Sequence, residues 1–171
     1  ERSKRFTLRL RIPGWCRSAN ASVNGETVEL EINKGYAAID RDWRDGETVR
    51  LALDMPVDRI YAHPAATEDA GRVALRRGPV IFCVEETDLG MEPQRLRLPA
   101  RSAISASYDA ALLGGATVLE GDALQADVSD WRDTLYRTEP AALKPRRFKA
   151  IPYHLWANRA PGAMAVWLHE K

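Results

Sequence analysis

Three carboxylate residues lie close together near the middle of the chain: Glu85, Glu86 and Asp88. A glycosidase of the common type needs two carboxylates that face each other across a sugar bond, and one of them needs a raised pKa so that it can donate a proton. These three residues follow an apolar run directly, and a polar exit from a strand into solvent explains that position better than a catalytic pair. They therefore predict no catalytic residue.

Cysteine and histidine residues are spaced too widely for a metal site or a nucleophilic triad. Cys16 and Cys83 form no CxxC motif, and His63, His154 and His169 form neither an HxH nor an HExxH motif. The sequence contains no GxSxG nucleophile elbow. Cys83 lies inside an apolar run and is expected to be a packed thiol. The sequence thus predicts no catalytic, cofactor-binding or metal-binding residue in this chain.

The tryptophans are the residues best suited to bind a ligand, because a flat indole ring can cover a sugar ring while its N–H group bonds a hydroxyl. We expect most of them to lie in cores or between domains. Trp131 is the candidate for a carbohydrate contact, because it lies in the polar stretch Asp122–Lys149, which the sequence predicts to be a long loop. The full set is Trp15, Trp43, Trp131, Trp156 and Trp167.

The composition of the 171-residue chain excludes several classes of partner. Apolar residues make up 45% of the chain, charged residues 29%, and the formal net charge is +1. No stretch approaches the roughly 20 apolar residues that a membrane-spanning helix needs, so no membrane partner is expected. The basic run at Lys144, Arg146, Arg147 and Lys149 is interpreted as a solvated loop, and no nucleic-acid partner is expected.

The first residues indicate that the chain is a fragment of a longer protein. It opens on Glu1, without an initiator Met or an apolar signal segment, and a strand pattern follows at once. This start does not define the compartment, although we favour the cytoplasm over export.

Alternation of apolar and polar residues predicts many short strands. Phe6–Ile12 alternates with period two, and Asn24 with Gly25 forms the dipeptide best suited to a two-residue hairpin turn. The unbroken apolar run Val80–Val84 predicts a strand covered on both faces, and the Gly-Pro pair just before it predicts a turn or bulge. Because turn signals are closely spaced and helical periodicity is almost absent, we predict an all-β, antiparallel β-sandwich of jelly-roll-like type.

Three stretches of the chain carry a resemblance to a known family. They read LRIPGW at Leu10–Trp15, GRVALRRGPVIFCVE at Gly71–Glu85, and IPYHLWANR at Ile151–Arg159 followed by MAVWL at Met164–Leu168. Taken together and in this order, they resemble the C-terminal part of glycoside hydrolase family 127, the β-L-arabinofuranosidase family. The similarity runs over essentially the whole chain.

The resemblance implies a parent protein with an (α/α)6 barrel followed by two β-sandwich domains. In the family, a cysteine thiolate acts as the nucleophile beside a zinc ion held by cysteines and a glutamate, and another glutamate is the acid/base. Those residues belong to the barrel, which would precede this chain, and neither Cys16 nor Cys83 matches the paired-cysteine zinc motif. No catalytic residue is therefore carried over, and zinc is expected in the barrel of the parent but not as a cofactor of this fragment.

The resemblance also implies the domain organisation and two functional hypotheses. Residues 1–62 would be the later strands of a first β-sandwich, incomplete in this fragment, and residues 63–171 would form a second β-sandwich. The leading hypothesis is a non-catalytic scaffold of a bacterial glycosidase of carbohydrate metabolism, whose partners are the catalytic barrel and a second copy in a homodimer. The alternative is an independent carbohydrate-binding module, whose loop tryptophans contact plant-type arabinose glycans.

Overall fold

The computed structural model describes residues 3–132 and 134–171. Over these residues the chain is almost entirely β-structure, which confirms the predicted all-β class. The described part has one α-helix, α1 (Glu86–Leu89), and short 3-10 turns at Thr67–Asp69, Pro93–Arg95 and Tyr153–Leu155. Its strands are β1 (Lys4–Arg11), β2 (Ala19–Val23), β3 (Glu26–Val28), β4 (Ile32–Asn33), β5 (Tyr36–Trp43), β6 (Val49–Leu53), β7 (Val57–Ile60), β8 (Arg72–Arg77), β9 (Val80–Glu85), β10 (Leu96–Leu98), β11 (Ile104–Asp109), β12 (Ala116–Ala126), β13 (Leu143–Pro152), β14 (Met164–Ala165) and β15 (Leu168–Glu170).

Two compact units make up the chain, and the division falls between Pro56 and Val57. Strand β7 belongs to the second unit, because it pairs antiparallel with β8 and because Asp58 accepts a hydrogen bond from Arg76 at 2.8 Å. The division expected between residues 62 and 63 thus lies beyond the first strand of the second unit. The sequence did not indicate β7 because its alternation of apolar and polar residues is weak and because its pairing partner, β8, comes later in the chain. Completion of the first unit by further strands stays a prediction.

The first unit consists of two three-stranded antiparallel sheets, with the orders β1-β5-β4 and β3-β2-β6. Strands of both sheets turn one face inward and share a core. Trp43 lies in this core, where its ring stacks on Phe6 at a centroid distance of 5.5 Å and its Nε1–H donates to the Phe6 carbonyl at 2.9 Å. The core residues are Val23, Ile39 and Trp43, with Leu8, Leu10, Val28, Leu30 and Val49 packed against them.

The hairpin predicted at Asn24 and Gly25 is confirmed. It joins β2 to β3, and the φ angles of the two residues are 52° and 90°, as a type I′ turn requires. The Asn24 side chain also accepts a hydrogen bond from the Thr48 amide at 2.9 Å. The turn is therefore fixed to the segment that precedes β6.

The second unit is one nine-stranded sheet that curves back on itself around a core, as in a sandwich. The strand order is β14-β9-β13-β12-β10-β15-β8-β7, with β11 beside β12, and β8 also pairs with β9. This last pairing closes a ring of strands, so that few edges of the described strands are left unpaired. The core residues are Val73, Leu75, Phe82, Val84, Leu89, Met91, Leu96, Leu98, Leu119, Ala123, Phe148, Ala150, Ala165 and Leu168.

Strand β9 is the predicted strand covered on both faces, and the structure confirms it. Phe82, Cys83 and Val84 are successive residues and are all buried, although successive side chains of a strand point to opposite faces. Gly78 opens the two-residue turn between β8 and β9 with a φ of 57°, which suits the first position of a type II′ turn.

The long loop predicted for Asp122–Lys149 is wrong at both ends. Strands β12 and β13 extend into it and pair antiparallel from Leu119 with Ala150 to Ala126 with Leu143, so the connecting loop comprises only residues 127–142. The basic run consequently lies on β13 and not in a loop. The sequence did not indicate this strand because the charged residues of the basic run surround Phe148, which is buried.

The variant Gly25→Ala is expected to lower the free energy of unfolding of the first unit by about 1 kcal/mol, because alanine is strained at a positive φ. An added Cβ would meet no atom within 4 Å at Gly25 or at Gly14, and only Gly25 has a positive φ. Gly14→Ala is therefore the matched control. Urea denaturation followed by tryptophan fluorescence measures both variants, and equal midpoints would contradict the assigned turn.

Candidate functional site

The three carboxylates considered for catalysis form a single turn, residues 85–88, which we call the carboxylate turn. Glu85 is the last residue of β9, and Glu86 and Asp88 belong to α1. Glu85 is only 4% exposed, so the expectation that it marks an exit into solvent is wrong. A buried carboxylate needs a partner, since an unpaired buried charge is costly.

That partner is Arg159, which lies in the connection between β13 and β14. Its guanidinium bonds both Glu85 and Asp88, and the distance from Nη1 to Asp88 Oδ1 is 2.9 Å. The side chains of Glu85, Asp88 and Arg159 are 5%, 12% and 20% exposed. The ion pair is therefore largely shielded from water. The loss of such a shielded pair lowers stability more than the loss of a surface pair does.

The connection from residue 153 to residue 163, which we call the aromatic loop, is held by the carboxylate turn at further points. The Ala157 amide donates to Glu85 Oε1 at 3.2 Å, and the Ala163 amide donates to Glu86 Oε2 at 2.9 Å. The Glu86 amide in turn donates to the Ala163 carbonyl at 2.9 Å. Three neighbouring carboxylates thus fix the middle and the end of the aromatic loop.

The geometry inside the aromatic loop is also specific. Ala157 has a φ of 60°, a conformation that non-glycine residues rarely adopt without support from their surroundings. The Asn158 side chain donates to the carbonyls of Leu155 and Trp156 at 3.2 and 3.1 Å. These bonds and the bond to Glu85 stabilise the turn that follows Trp156.

The aromatic loop presents two aromatic rings at the surface. The rings of Tyr153 and Trp156 lie 6.1 Å apart between centroids and are nearly parallel, at 14°. The two residues are 45% and 40% exposed. The result is an ordered aromatic surface beside a buried ion pair.

Electrostatics of the turn favour structural roles over acid–base or nucleophilic chemistry. The hydrogen bonds that Arg159 donates to Asp88 and, with a smaller effect, to Glu85 raise the pKa of Arg159 above its usual value, so the guanidinium stays charged. Burial, with a smaller effect of the Glu85 charge, raises the pKa of Cys83 to about 12. Because a thiolate is the reactive form, the Cys83 thiol is inert at neutral pH.

Trp131 lies in the loop of residues 127–142, where it is half-buried. The Arg137 guanidinium sits over its ring at 5.0 Å from the centroid and also bonds Asp130 at 2.9 Å. This cation–π contact covers one face of the indole ring. A carbohydrate contact at Trp131 stays a prediction, and it would have to use the other face or the ring edge.

Within residues 3–132 and 134–171, no group of three or more His, Cys, Asp or Glu residues is arranged to hold a metal ion. Cys16 lies in the first unit and Cys83 in the second, so the two thiols do not form a site within one unit. The described residues therefore do not form a zinc site of the kind that the family resemblance implies for the barrel. No helix among the described residues is long and apolar enough to cross a membrane.

Sequence reasoning missed the link between the carboxylate turn and the aromatic loop. Glu85 and Arg159 are 74 positions apart in the chain, and no local pattern reports such a pairing. One signal was available in the stretches that carry the family resemblance. Glu85 is the last residue of GRVALRRGPVIFCVE, and Arg159 is the last residue of IPYHLWANR. Tyr153 was not singled out, because its exposure depends on the 3-10 turn at Tyr153–Leu155, which no sequence pattern indicated.

Residues 57–169 match the family described as glycoside hydrolase family 127 C-terminal domain. The chain belongs to glycoside hydrolase family 127. Residues 1–55 match the family described as β-L-arabinofuranosidase, GH127 middle domain. The resemblance carried by the three stretches is thus confirmed, and the two family domains meet where the structure divides into its two units.

Relatives of the chain are much longer than the chain itself. A non-reducing end β-L-arabinofuranosidase of Bifidobacterium longum subsp. longum is 32% identical over 164 residues, which cover 92% of this chain and 25% of the relative. The crystal structure of a GH127 β-L-arabinofuranosidase from Geobacillus stearothermophilus T6 is 46% identical with a TM-score of 0.92, over 100% of this chain and 27% of that one. A further GH127 β-arabinofuranosidase structure is 31% identical with a TM-score of 0.87, over 100% of this chain and 28% of that one. The chain therefore spans about a quarter of the length of these relatives.

The variant Arg159→Met is expected to lower the free energy of unfolding of the second unit by about 3 kcal/mol, because it leaves buried carboxylates without their cation. Arg147→Met is the matched control, since Arg147 and Asp122 form an ion pair whose side chains are 69% and 83% exposed. Its loss should change the free energy by less than about 1 kcal/mol. Urea denaturation measures both, and a loss for Arg159→Met no larger than that for the control would contradict the assigned role of the buried pair.

Proposed function

We propose that this chain is the non-catalytic β-sandwich scaffold of a β-L-arabinofuranosidase-like hydrolase and that it packs on an (α/α)6 catalytic barrel in the same protein. The observation that supports this most directly is the structural use of all three candidate carboxylates. Glu85 and Asp88 bind Arg159, and Glu86 binds the backbone of Ala163. Carboxylate oxygens that are occupied by these bonds are poorly placed to act on a sugar bond.

The lengths and names of the relatives support the same proposal. Relatives named as β-L-arabinofuranosidases extend well beyond the quarter of their length that this chain matches. The matched quarter corresponds to domains described as middle and C-terminal. Since the described residues hold no group arranged to bind a metal ion, and the three candidate carboxylates are engaged in structural contacts, we expect the chemistry of such a hydrolase in the remaining part.

A carbohydrate-binding module is the alternative that the loop tryptophans suggested. The contact of Arg137 with Trp131 disfavours it at that position, because the guanidinium occupies a face that a sugar ring would need. Calorimetric titration of the 171-residue chain with arabinose-containing oligosaccharides separates the two functions. The scaffold gives no heat of binding, whereas a binding module gives saturable heat that is lost in Trp131→Ala.

The scaffold function predicts that the 171-residue chain alone does not hydrolyse an aryl β-L-arabinofuranoside, while the full-length protein does. It also predicts that the full-length protein lacking residues 57–171 melts at a lower temperature and loses activity, because apolar surface covered by this unit becomes exposed. Calorimetric melting and a steady-state assay of both proteins measure these effects. Wild-type melting and activity in the shortened protein, or turnover by the isolated chain, would overturn the proposal.

A further inference from the structure

The aromatic loop has the composition of an interface centre. Tyr153, Trp156 and Arg159 are of the three residue types that contribute most often to binding hot spots. The loop has no charged side chain other than Arg159, and the charge of Arg159 is already balanced by Glu85 and Asp88. Interface centres are likewise poor in charged groups and rich in aromatic ones.

The loop is also ordered before any partner binds. Glu85, Glu86 and Asp88 hold it through the Ala157 and Ala163 amides and through Arg159. A loop that is fixed in advance loses little conformational freedom on association, which favours binding. Burying two carboxylates and a guanidinium is unfavourable compared with apolar packing, so the network is better explained by the geometry that it imposes than by stability alone.

The exposed rings line neither of two grooves found in the second unit. Grooves of the second unit lie beside Arg97 and Lys171 and beside Tyr61 and His63, and neither is lined by the rings of the aromatic loop. Small-molecule sites are usually concave and enclose their ligand. Two nearly parallel rings that are each about half exposed fit a flat, uncharged protein surface better.

We propose that the aromatic loop is the surface through which this region binds the remainder of its own protein, the part corresponding to the roughly three quarters of the relatives that the chain does not match. The inference rests on the proposed function, since it names the surface that the scaffold uses. The partner surface is apolar and uncharged. Tyr153 and Trp156 become buried against it, while Arg159 and the carboxylate turn keep their positions.

Hydroxyl-radical footprinting with mass spectrometry tests this surface directly. The 171-residue chain and the full-length protein are oxidised in parallel, and the modification of each aromatic residue is compared. Tyr153 and Trp156 are expected to be modified in the chain and several-fold less in the full-length protein. Tyr108, which is 70% exposed in the same unit, is the control and should be modified equally in both.

The footprint has three outcomes that would overturn the inference. Equal modification of Trp156 in both proteins would show that another surface is used. If the protection of Tyr153 and Trp156 in the isolated chain increases with the concentration of that chain, the loop forms contacts between copies. Protection of the isolated chain by arabinose-containing oligosaccharides would assign it to a glycan.

A variant separates docking from folding. Trp156→Ala should leave the melting temperature of the 171-residue chain unchanged and lower that of the full-length protein, whereas Tyr108→Ala should affect neither. If removal of residues 57–171 destabilises the full-length protein and Trp156→Ala does not, the inference fails while the scaffold function stands. If the removal has no effect, the scaffold function itself fails.

Discussion

The second unit depends on one buried interaction, the contact of the Arg159 guanidinium with Glu85 and Asp88. It joins the end of the central strand β9 and the helix α1 to a connection that arrives from β13, more than seventy positions later in the chain. Geometry alone would allow that connection several paths across the surface. The three charges select one of them, because each carboxylate would be costly to bury without the guanidinium.

This contact gives structural roles to residues whose types are suited to chemistry. Glu85 and Asp88 bind the Arg159 guanidinium and Glu86 binds the Ala163 amide, so their oxygens are occupied within the fold. The nearby Cys83 is kept as a thiol by burial, with its pKa raised to about 12. The same groups instead determine the position of Tyr153 and Trp156 at the surface. Packing, charge and exposure in this region all favour an architectural role in a glycoside hydrolase family 127 protein.

Local patterns predicted the local structure well. The turns at Asn24 and Gly25 and at Gly78 were readable because a tight turn depends on the residues within it. Strand β7 and the outer parts of β12 and β13 were not readable, since the alternation of β7 is weak and the charged residues of β12 and β13 resemble those of a loop. The ends of these elements are decided by pairing across the sheet and not by composition.

The proposed docking surface was predictable only in part. The family was readable from three stretches of sequence, and the prediction that this chain holds no catalytic residue came from the types and spacing of Cys, His and carboxylate residues. The sequence favoured Trp131 as the candidate for a carbohydrate contact, which stays a prediction, and Arg137 covers one face of its ring. The exposure of Trp156 follows from the positive φ of Ala157 and the bond to Glu85, which belong to the folded structure.

The carboxylate turn holds the aromatic loop in one conformation, and amide hydrogen exchange at Ala157 measures this directly. Ala157 is exposed, and its amide donates to the buried Glu85 carboxylate. In the native chain this amide, measured by NMR, is expected to exchange far more slowly than in an unstructured peptide, and Arg159→Met is expected to remove the protection. Exchange of the Ala157 amide at the unstructured rate in the native chain would show that the carboxylate turn does not hold the loop.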